Sequence, residues 1–349
     1  MNFPISSLNR WFTCIIIIIF LSGINHVYAQ QKQYKAGCIA FYNLENLFDT
    51  IDDPQTDDAE YLPNGPSKWN TERYNLKLQH MSEAISQIGD EMVKGGPTII
   101  GLSEMENKQV LVDLIHQPAL KNAGYDIVHY DSPDKRGVDV ALLYKPSVFK
   151  VIASKATPLH VPWRKDFRTR DQLVVSGLFD GEPMSVIVNH WPSRGQGPEY
   201  RAEAAKLTRH LADSLMQLDA KAKIIIMGDL NDDPIDPSLT QFLGAKGKIK
   251  DVKPGDLYNP MWQMSKDGIG SLAYKDAWNL FDQIIVSQPL LGDDKSTYKL
   301  YKTKVFNRRF LIQPDGQYAG YPWRTFSGGA WTGGYSDHFP VYIFLIKEK

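Results

Sequence analysis

Two short stretches of this chain, Val140-Ala141-Leu142-Leu143 and Ile224-Ile225-Ile226-Met227, contain no polar residue at all. Successive side chains of a strand point to opposite faces, so strands of this composition need apolar cover on both. Buried strands of that kind are typical of α/β proteins, in which helices pack on the sheets. Three helical stripes can supply the cover. Tyr74, Leu78, Met81, Ile85, Ile88 and Met92 recur at steps of three and four; Val110, Leu111, Leu114 and Ile115 form a second stripe, and Leu207, Leu211, Leu215 and Leu218 a third. The apolar runs at 37–42, 98–102, 138–144, 173–179, 184–188, 223–227, 283–286 and 341–346 have the length and branched residues of strands, and they interleave with those helices.

The 349 residues suit one large domain or two small ones, and 43% hydrophobic residues can fill a sizeable core, which excludes disorder of the whole chain. Ahead of that core the sequence reads as an export signal. Arg10 precedes an apolar run from Trp11 to Leu21, and Val27-Tyr28-Ala29 offers a cleavage site before Gln30. The run is shorter than the roughly 20 apolar residues of a membrane span. Cys14 lies inside it rather than after it, which argues against a lipid anchor. The expectation is a signal peptide over 1–29, a mature chain over 30–349, and a secreted or periplasmic protein with no stable membrane anchor. Cys38 is then the one remaining thiol, so no internal disulfide forms, and Cys38-Ile39-Ala40-Phe41 reads as buried strand. With 39 basic against 40 acidic residues, a polyanionic partner would have to meet local basic patches. Candidates are 163–170 and 190–194, where cations alternate with aromatic rings.

Polar residues at the ends of the apolar runs carry the chemistry. Asn43 and Glu45 follow the first run, Glu104 and Glu106 the second, Asn189 and His190 the run at 184–188, and Asp229, Asn231 and Asp232 the run at 223–227. Asp282 opens the strand-like DQIIVS, and Asp337 and His338 stand before the last run. Any one of these is most simply a loop cap or turn former. Together they would build a cage of hard oxygens with two imidazoles at one rim. Such oxygens suit Mg²⁺, with Mn²⁺ as the alternative, bound together with substrate phosphate. Zinc is disfavoured by the lack of CxxC, HExxH or a close histidine pair, and a serine hydrolase by the lack of a GxSxG elbow. Histidines with acidic neighbours fit proton transfer at a phosphodiester oxygen.

Asn43 in FYNLENLF, Glu104 in GLSEMEN, Asn189-His190 in VNHWPS, Asp229 and Asn231 in MGDLND, Asp282 in FDQIIVS and Asp337-His338 in YSDHFPV stand in the order of the endonuclease/exonuclease/phosphatase family, which the chain resembles from about 39 to 346. TRDQLVV and NHWPS are most similar to its deoxyribonuclease branch and to secreted bacterial nucleases. The resemblance implies a deoxyribonuclease-like, four-layer α/β sandwich of two packed mixed β-sheets flanked by helices, formed by one catalytic domain over 30–349. It also implies site roles. Glu104, Asn43 and Asp337 bind the metal. Asp229 orients the attacking water, Asn231 and His190 hold the phosphate, His338 is the general acid/base, and Asp282 orients His338. Arg170 matches a phosphate-contacting arginine, and Arg194 is a further phosphate-binding candidate. The carboxylate expected to pair with His190 has Asp139 as its nearest candidate.

The function implied is an exported Mg²⁺-dependent endonuclease acting on DNA, with no obligate protein partner. Within the same family, a phospholipid or phosphoinositide hydrolase is the alternative; outside it stand a catalytically inactive secreted binding module and a calcineurin-like phosphoesterase, whose histidine soon after the first Asp and later GNH are missing here. His80, His116, His129, His160 and His210 have no motif context and read as structural or surface residues. Trp331 is placed equally well in the substrate groove or in the core.

Overall fold

The stretches without polar residues become the middle of two six-stranded sheets. A computed structural model describes residues 32–349, so the expected signal peptide lies outside the described residues. The larger compact unit runs from Lys35 to Glu348. Its strands are β1 (Tyr34–Leu47), β2 (Ile99–Met105), β3 (Asp126–His129), β4 (Asp139–Tyr144), β5 (Phe149–Thr157), β6 (Gln172–Phe179), β7 (Glu182–His190), β8 (Ile224–Asp229), β9 (Leu257–Tyr258), β10 (Leu272–Tyr274), β11 (Ala277–Asn279), β12 (Asp282–Ser287), β13 (Lys299–Val305), β14 (Phe326–Ser327), β15 (Ala330–Trp331) and β16 (Val341–Glu348). Three helices matter most: α1 (Thr71–Gln87), α2 (Lys108–Ile115) and α3 (Pro198–Leu218).

The first sheet is ordered β13-β16-β1-β2-β4-β3 and the second β5-β6-β7-β8-β12-β9. Both are mixed, with the parallel pairs β1–β2 and β7–β8 at their centres and the antiparallel pairs β2–β4, β6–β7 and β8–β12 beside them. The period of two sorts residues between layers. Ile39 and Phe41 of β1 point into the core between the sheets, where they join Val186, Val188, Ile225 and Met227. Cys38, Ala40 and Tyr42 point the other way, into a core shared with Leu78, Met81 and Ile85 of α1 and Val110, Leu111 and Leu114 of α2. On the outer face of the second sheet, Ile224 and Ile226 meet Tyr200, Ala204, Ala205 and Ala212 of α3. Each fully buried large apolar side chain contributes roughly 1.5–3 kcal/mol. The result is the four-layer sandwich that the resemblance implies. No helix of the described residues is long and apolar enough to cross a membrane.

Helix ends depart from the periodic pattern where backbone chemistry overrides it. Asn70 caps α1 by accepting a hydrogen bond from Arg73 N at 3.0 Å. The helix ends at Gln87, and Gly89, at φ 73°, turns the chain away, so Met92 falls outside the stripe and is exposed. Leu218, the last residue of α3, is likewise exposed.

Two glycines set how closely the strands approach. A Cβ on Gly101 of β2 would lie 2.5 Å from Met227 Sδ and 3.1 Å from Val188 Cγ1, so the two sheets touch at that point. A Cβ on Gly228 would lie 2.3 Å from the Asn189 carbonyl oxygen, the residue opposite it on β7. Backbone cannot yield there as a side chain can. Gly228→Ala is expected to destabilise the protein by about 2 kcal/mol or more, lowering Tm by roughly 4 °C in thermal unfolding. An unchanged Tm would show that β7 and β8 tolerate a wider spacing.

Candidate active site

Strand register builds one wall of the site. On β7, β8 and β12, His190 lies opposite Asp229, and Asp229 opposite Asp282, so three polar side chains form a row at one rim of the second sheet. From the other sheet, β1 and β2 run in register to Asn43 and Ser103 and then slip. At the slip, Glu45, Asn46 and Glu104 take left-handed φ of 49°, 55° and 60°, and Asn231 does so after β8 at 53°. Non-glycine residues in that region are uncommon and cluster at functional sites. The turn brings Asn46 N to 3.1 Å from Glu104 Oε2.

A network then joins the sheets. Asn43 Nδ2 donates to Asp229 Oδ2 at 3.1 Å, and Asn231 N donates to Asp229 Oδ1 at 3.0 Å. His190 Nε2 lies 3.6 Å from Asp229 Oδ2 and 3.7 Å from Glu104 Oε1. Asn231 Nδ2 donates to the Trp191 carbonyl at 3.0 Å, which leaves a second amide N–H of that group for a ligand. His338 Nδ1 and Asp282 Oδ2 are 2.6 Å apart, and Ser271 Oγ donates to the same carboxylate oxygen. Asp337 and His338 are adjacent yet diverge because Ser336 bends the chain: its hydroxyl donates to Asn43 O and accepts from His338 N. Asp337 Oδ1 lies 3.8 Å from His338 Nε2, and its Oδ2 pairs with Arg324 Nη2 at 2.9 Å.

Beneath this layer, Lys77 of α1 is buried and donates to Thr325 Oγ1 and Tyr335 O, both at 2.6 Å, with Glu45 Oε2 at 3.7 Å. The Glu45 carboxylate also accepts from Thr325 N at 2.6 Å. This ion pair pins the segment before Asp337 to β1.

The environment separates the acid–base groups. Burial pushes the Asp229 carboxyl up to about 7, helped by Asp282 and Glu104 and opposed by His338. Burial works against charge on His338, but Asp282 and Asp337 outweigh it and hold that imidazole well above its ordinary value. His190 is held well below its ordinary value by burial and by Arg170, Arg136 and His338. One imidazole is therefore cationic and the other neutral near pH 7, a pairing suited to giving and receiving protons.

A cleft of about 440 Å³ opens over these groups, with Glu104, His190, Asp229, Asn231 and His338 on its floor and Arg136, Arg168 and Arg170 on its wall. Asn43, Asp282 and Asp337 join it through the hydrogen bonds and ion pairs above. One sequence expectation needs correction, and two cations have partners that the sequence does not show. Asp139 does not pair with His190: it faces His129 Nε2 at 2.8 Å and accepts from Ser132, while His190 Nδ1 has no hydrogen-bond partner among the described residues. Arg194 is held by Asp232, Asp233 and Asp236 and lies over the Phe281 ring, so carboxylates already neutralise it. Arg170 borders the cleft but is buried, bonded to Asp134 at 3.2 Å and to Trp191 O at 2.7 Å. Trp331 packs on Trp69 and Phe326. Sequence reasoning overlooked the loop with Asp134, Lys135 and Arg136, whose DKRG turn was the available signal.

Hard oxygens from Glu104, Asp229, Asp337 and Asn43 are the donor set that Mg²⁺ or Mn²⁺ takes. Glu104 Oε1 faces the cleft, 3.7 Å from His190 Nε2 and beyond hydrogen-bond reach of it. Asp229, Asp282 and His338 also place ligand atoms within 4.8 Å of one another, but the facing atoms of Asp282 and His338 are bonded together, which suits proton handling better than coordination.

Two mixed sheets packed face to face, with acid, amide and imidazole side chains gathered at one rim, define a hydrolase scaffold for phosphate esters. The chain belongs to the Endonuclease/Exonuclease/phosphatase family, whose profile matches residues 38–347. Among solved structures it is similar to an endonuclease/exonuclease/phosphatase family protein from Bacteroides thetaiotaomicron, at 18% identity and TM-score 0.56 over 90% of this chain and 99% of that one. It is also similar to the Bacteroides thetaiotaomicron mannosyl-6-phosphatase Bt3783, at 19% identity and TM-score 0.52 over 88% and 99%. A third is D. rerio TDP2 complexed with a single-strand DNA product, at 13% identity and TM-score 0.54 over 89% and 99%. These likenesses show the fold. No curated protein matches the sequence.

Replacing Asp282 with Asn should lower the His338 pKa, because the main counter-charge disappears while burial stays. Imidazole NMR titration of the metal-free variant checks this, and an unmoved titration would assign the shift to Asp337 instead.

Proposed function

We propose that the chain is a divalent-metal-dependent phosphodiesterase that cleaves DNA by in-line attack of water and acts after export. The observation that supports this most is the cleft itself, where a floor of carboxylates and imidazoles meets a wall of arginines. Phosphate esters need both: cations for the anionic substrate and carboxylates for the metal and the attacking water.

Glu104 and Asp337, with Asn43 beside them, would hold the metal, which supplies Lewis-acid neutralisation of charge on the phosphate oxygens. Asp229 orients the water and accepts its proton. Neutral His190 and the second N–H of Asn231 donate to the phosphate as negative charge grows on it. Cationic His338, fixed by Asp282, gives its Nε2 proton to the leaving oxygen. No covalent intermediate forms. TDP2 with its DNA product supports a strand as substrate; the mannosyl-6-phosphatase keeps a sugar phosphomonoester as the rival.

His338→Ala and Asp229→Ala should each lower turnover about 100-fold or more on plasmid or oligonucleotide with Mg²⁺, and near-normal rates in either would sink the mechanism. Glu104→Gln should shift the Mg²⁺ titration to higher concentration with the fold retained by circular dichroism. Hydrolysis of sphingomyelin, phosphoinositide or mannose 6-phosphate, without DNA cleavage, would replace the substrate reading.

Since Arg194 and Arg170 are already paired, the exposed Arg168 is the better phosphate contact. Arg168→Ala should flatten the slope of log affinity against log salt by roughly one unit and weaken all DNA sequences alike. Equal slopes would count against a role for this wall.

A further inference from the structure

Outside the catalytic cleft, one cavity of about 550 Å³ is lined by Asp53, Glu106, Asp131, Asp134 and Asp139 against a single lysine, Lys135, and would repel a phosphorylated ligand. A different cavity, of about 400 Å³, is aromatic and carries charges of both signs, Lys275 and Arg324 with Asp276. It lies between the β10–β11 hairpin and residues 317–324 and is lined by Tyr274, Lys275, Tyr318, Tyr321 and Arg324. The hairpin turns through Lys275 and Asp276, both left-handed, at φ 48° and 62°. Tyr321 OH clamps that turn by accepting from Asp276 N at 2.7 Å. Tyr274 and Tyr318 remain 65% and 39% exposed, with ring faces open to solvent on the recess. Lys275 Nζ stands 5.3 Å from the Tyr274 ring centre, and the Tyr318 and Tyr321 rings are 5.8 Å apart.

The cavity connects with the reaction centre through Arg324, which lines it and pairs with Asp337 Oδ2 at 2.9 Å, while Asp337 Oδ1 is 3.8 Å from His338 Nε2. The Arg324–Asp337 ion pair therefore sets this aromatic recess beside the reaction centre. We propose that this recess is a nucleobase subsite: Tyr274 and Tyr318 stack on a base of the strand whose phosphate is hydrolysed, beside the Arg324–Asp337 ion pair. The proposal rests on the nucleic-acid reading above and makes it more specific, since a flipped or single-stranded base offers the ring face that tyrosines stack on.

The test uses the full chain and the double variant Tyr274→Ala/Tyr318→Ala, both positions being exposed. On a thymidine 12-mer with Mg²⁺, KM should rise about tenfold or more. Hydrolysis of bis-p-nitrophenyl phosphate, a diester too small to span both regions, should stay within about twofold. Tyr274→Phe/Tyr318→Phe should behave as wild type, because stacking needs the ring and not the hydroxyl. An unchanged oligonucleotide KM in the alanine variant overturns the subsite alone. Equal loss on both substrates overturns it too, since the change then acts through the catalytic loop. Loss confined to mannose 6-phosphate would assign the recess to a sugar. If the wild type hydrolyses the small diester but neither cleaves nor binds the 12-mer, the nucleic-acid reading fails and the subsite fails with it.

Discussion

Everything at the site depends on how close the two sheets lie. Gly101 lets β2 rest directly on Met227 and Val188, and at the rim above that contact Asn43 Nδ2 reaches Asp229 Oδ2 at 3.1 Å. That hydrogen bond spans the interface and fixes the Asn43 and Glu104 side of the cleft against the Asp229 and His338 side. A wider interface would leave Asn43 and Glu104 facing water, and a group worth a few kcal/mol in a dry site is worth far less in a wet one. Apolar packing is therefore the first determinant of the chemistry, even though no apolar side chain takes part in it.

Proximity of so many carboxylates has an electrostatic cost, and the fold offsets it locally. Lys77, buried in α1, faces Glu45, and Arg324 faces Asp337. Asp282 is neutralised by His338 and bonded to Ser271. Asp229 lies where these charges meet, and burial raises its pKa to about 7. A dication placed beside it would favour the ionised form. Removing a single partner from this set leaves a buried charge exposed to its like neighbours, so the network resists piecemeal change.

Much of the fold was legible because buried strands leave an unmistakable mark. The run Ile224-Ile225-Ile226-Met227 has no other stable use, and each of the apolar runs falls within or overlaps a strand of the two sheets. β5 and β13 escaped notice because they are edge strands, half exposed and carrying alternate lysines and threonines that read as surface. The polar residues that the structure gathers were visible through their motifs. Their neighbours were less so: a carboxylate at a strand start, such as Asp139, looks alike whether it meets His190 or His129, and only the course of β3 decides. Arg194 misled for a related reason, since a cation in an aromatic-rich segment gives no hint that Asp232, Asp233 and Asp236 fold back onto it.

The position of β16 has a consequence for timing. This strand, the last of its sheet in sequence, does not sit at an edge but between β13 and β1, and it carries Asp337 and His338 at its entrance. As the chain emerges from the ribosome, β1 waits with one side open while some three hundred residues follow, and the pairing that completes the sheet also brings the final acid and imidazole into place. Contacts between segments so distant in sequence form late. Until they do, the earlier strands present Glu104, His190 and Asp229 without Asp337 and His338, so the rim group is complete only with the finished sheet.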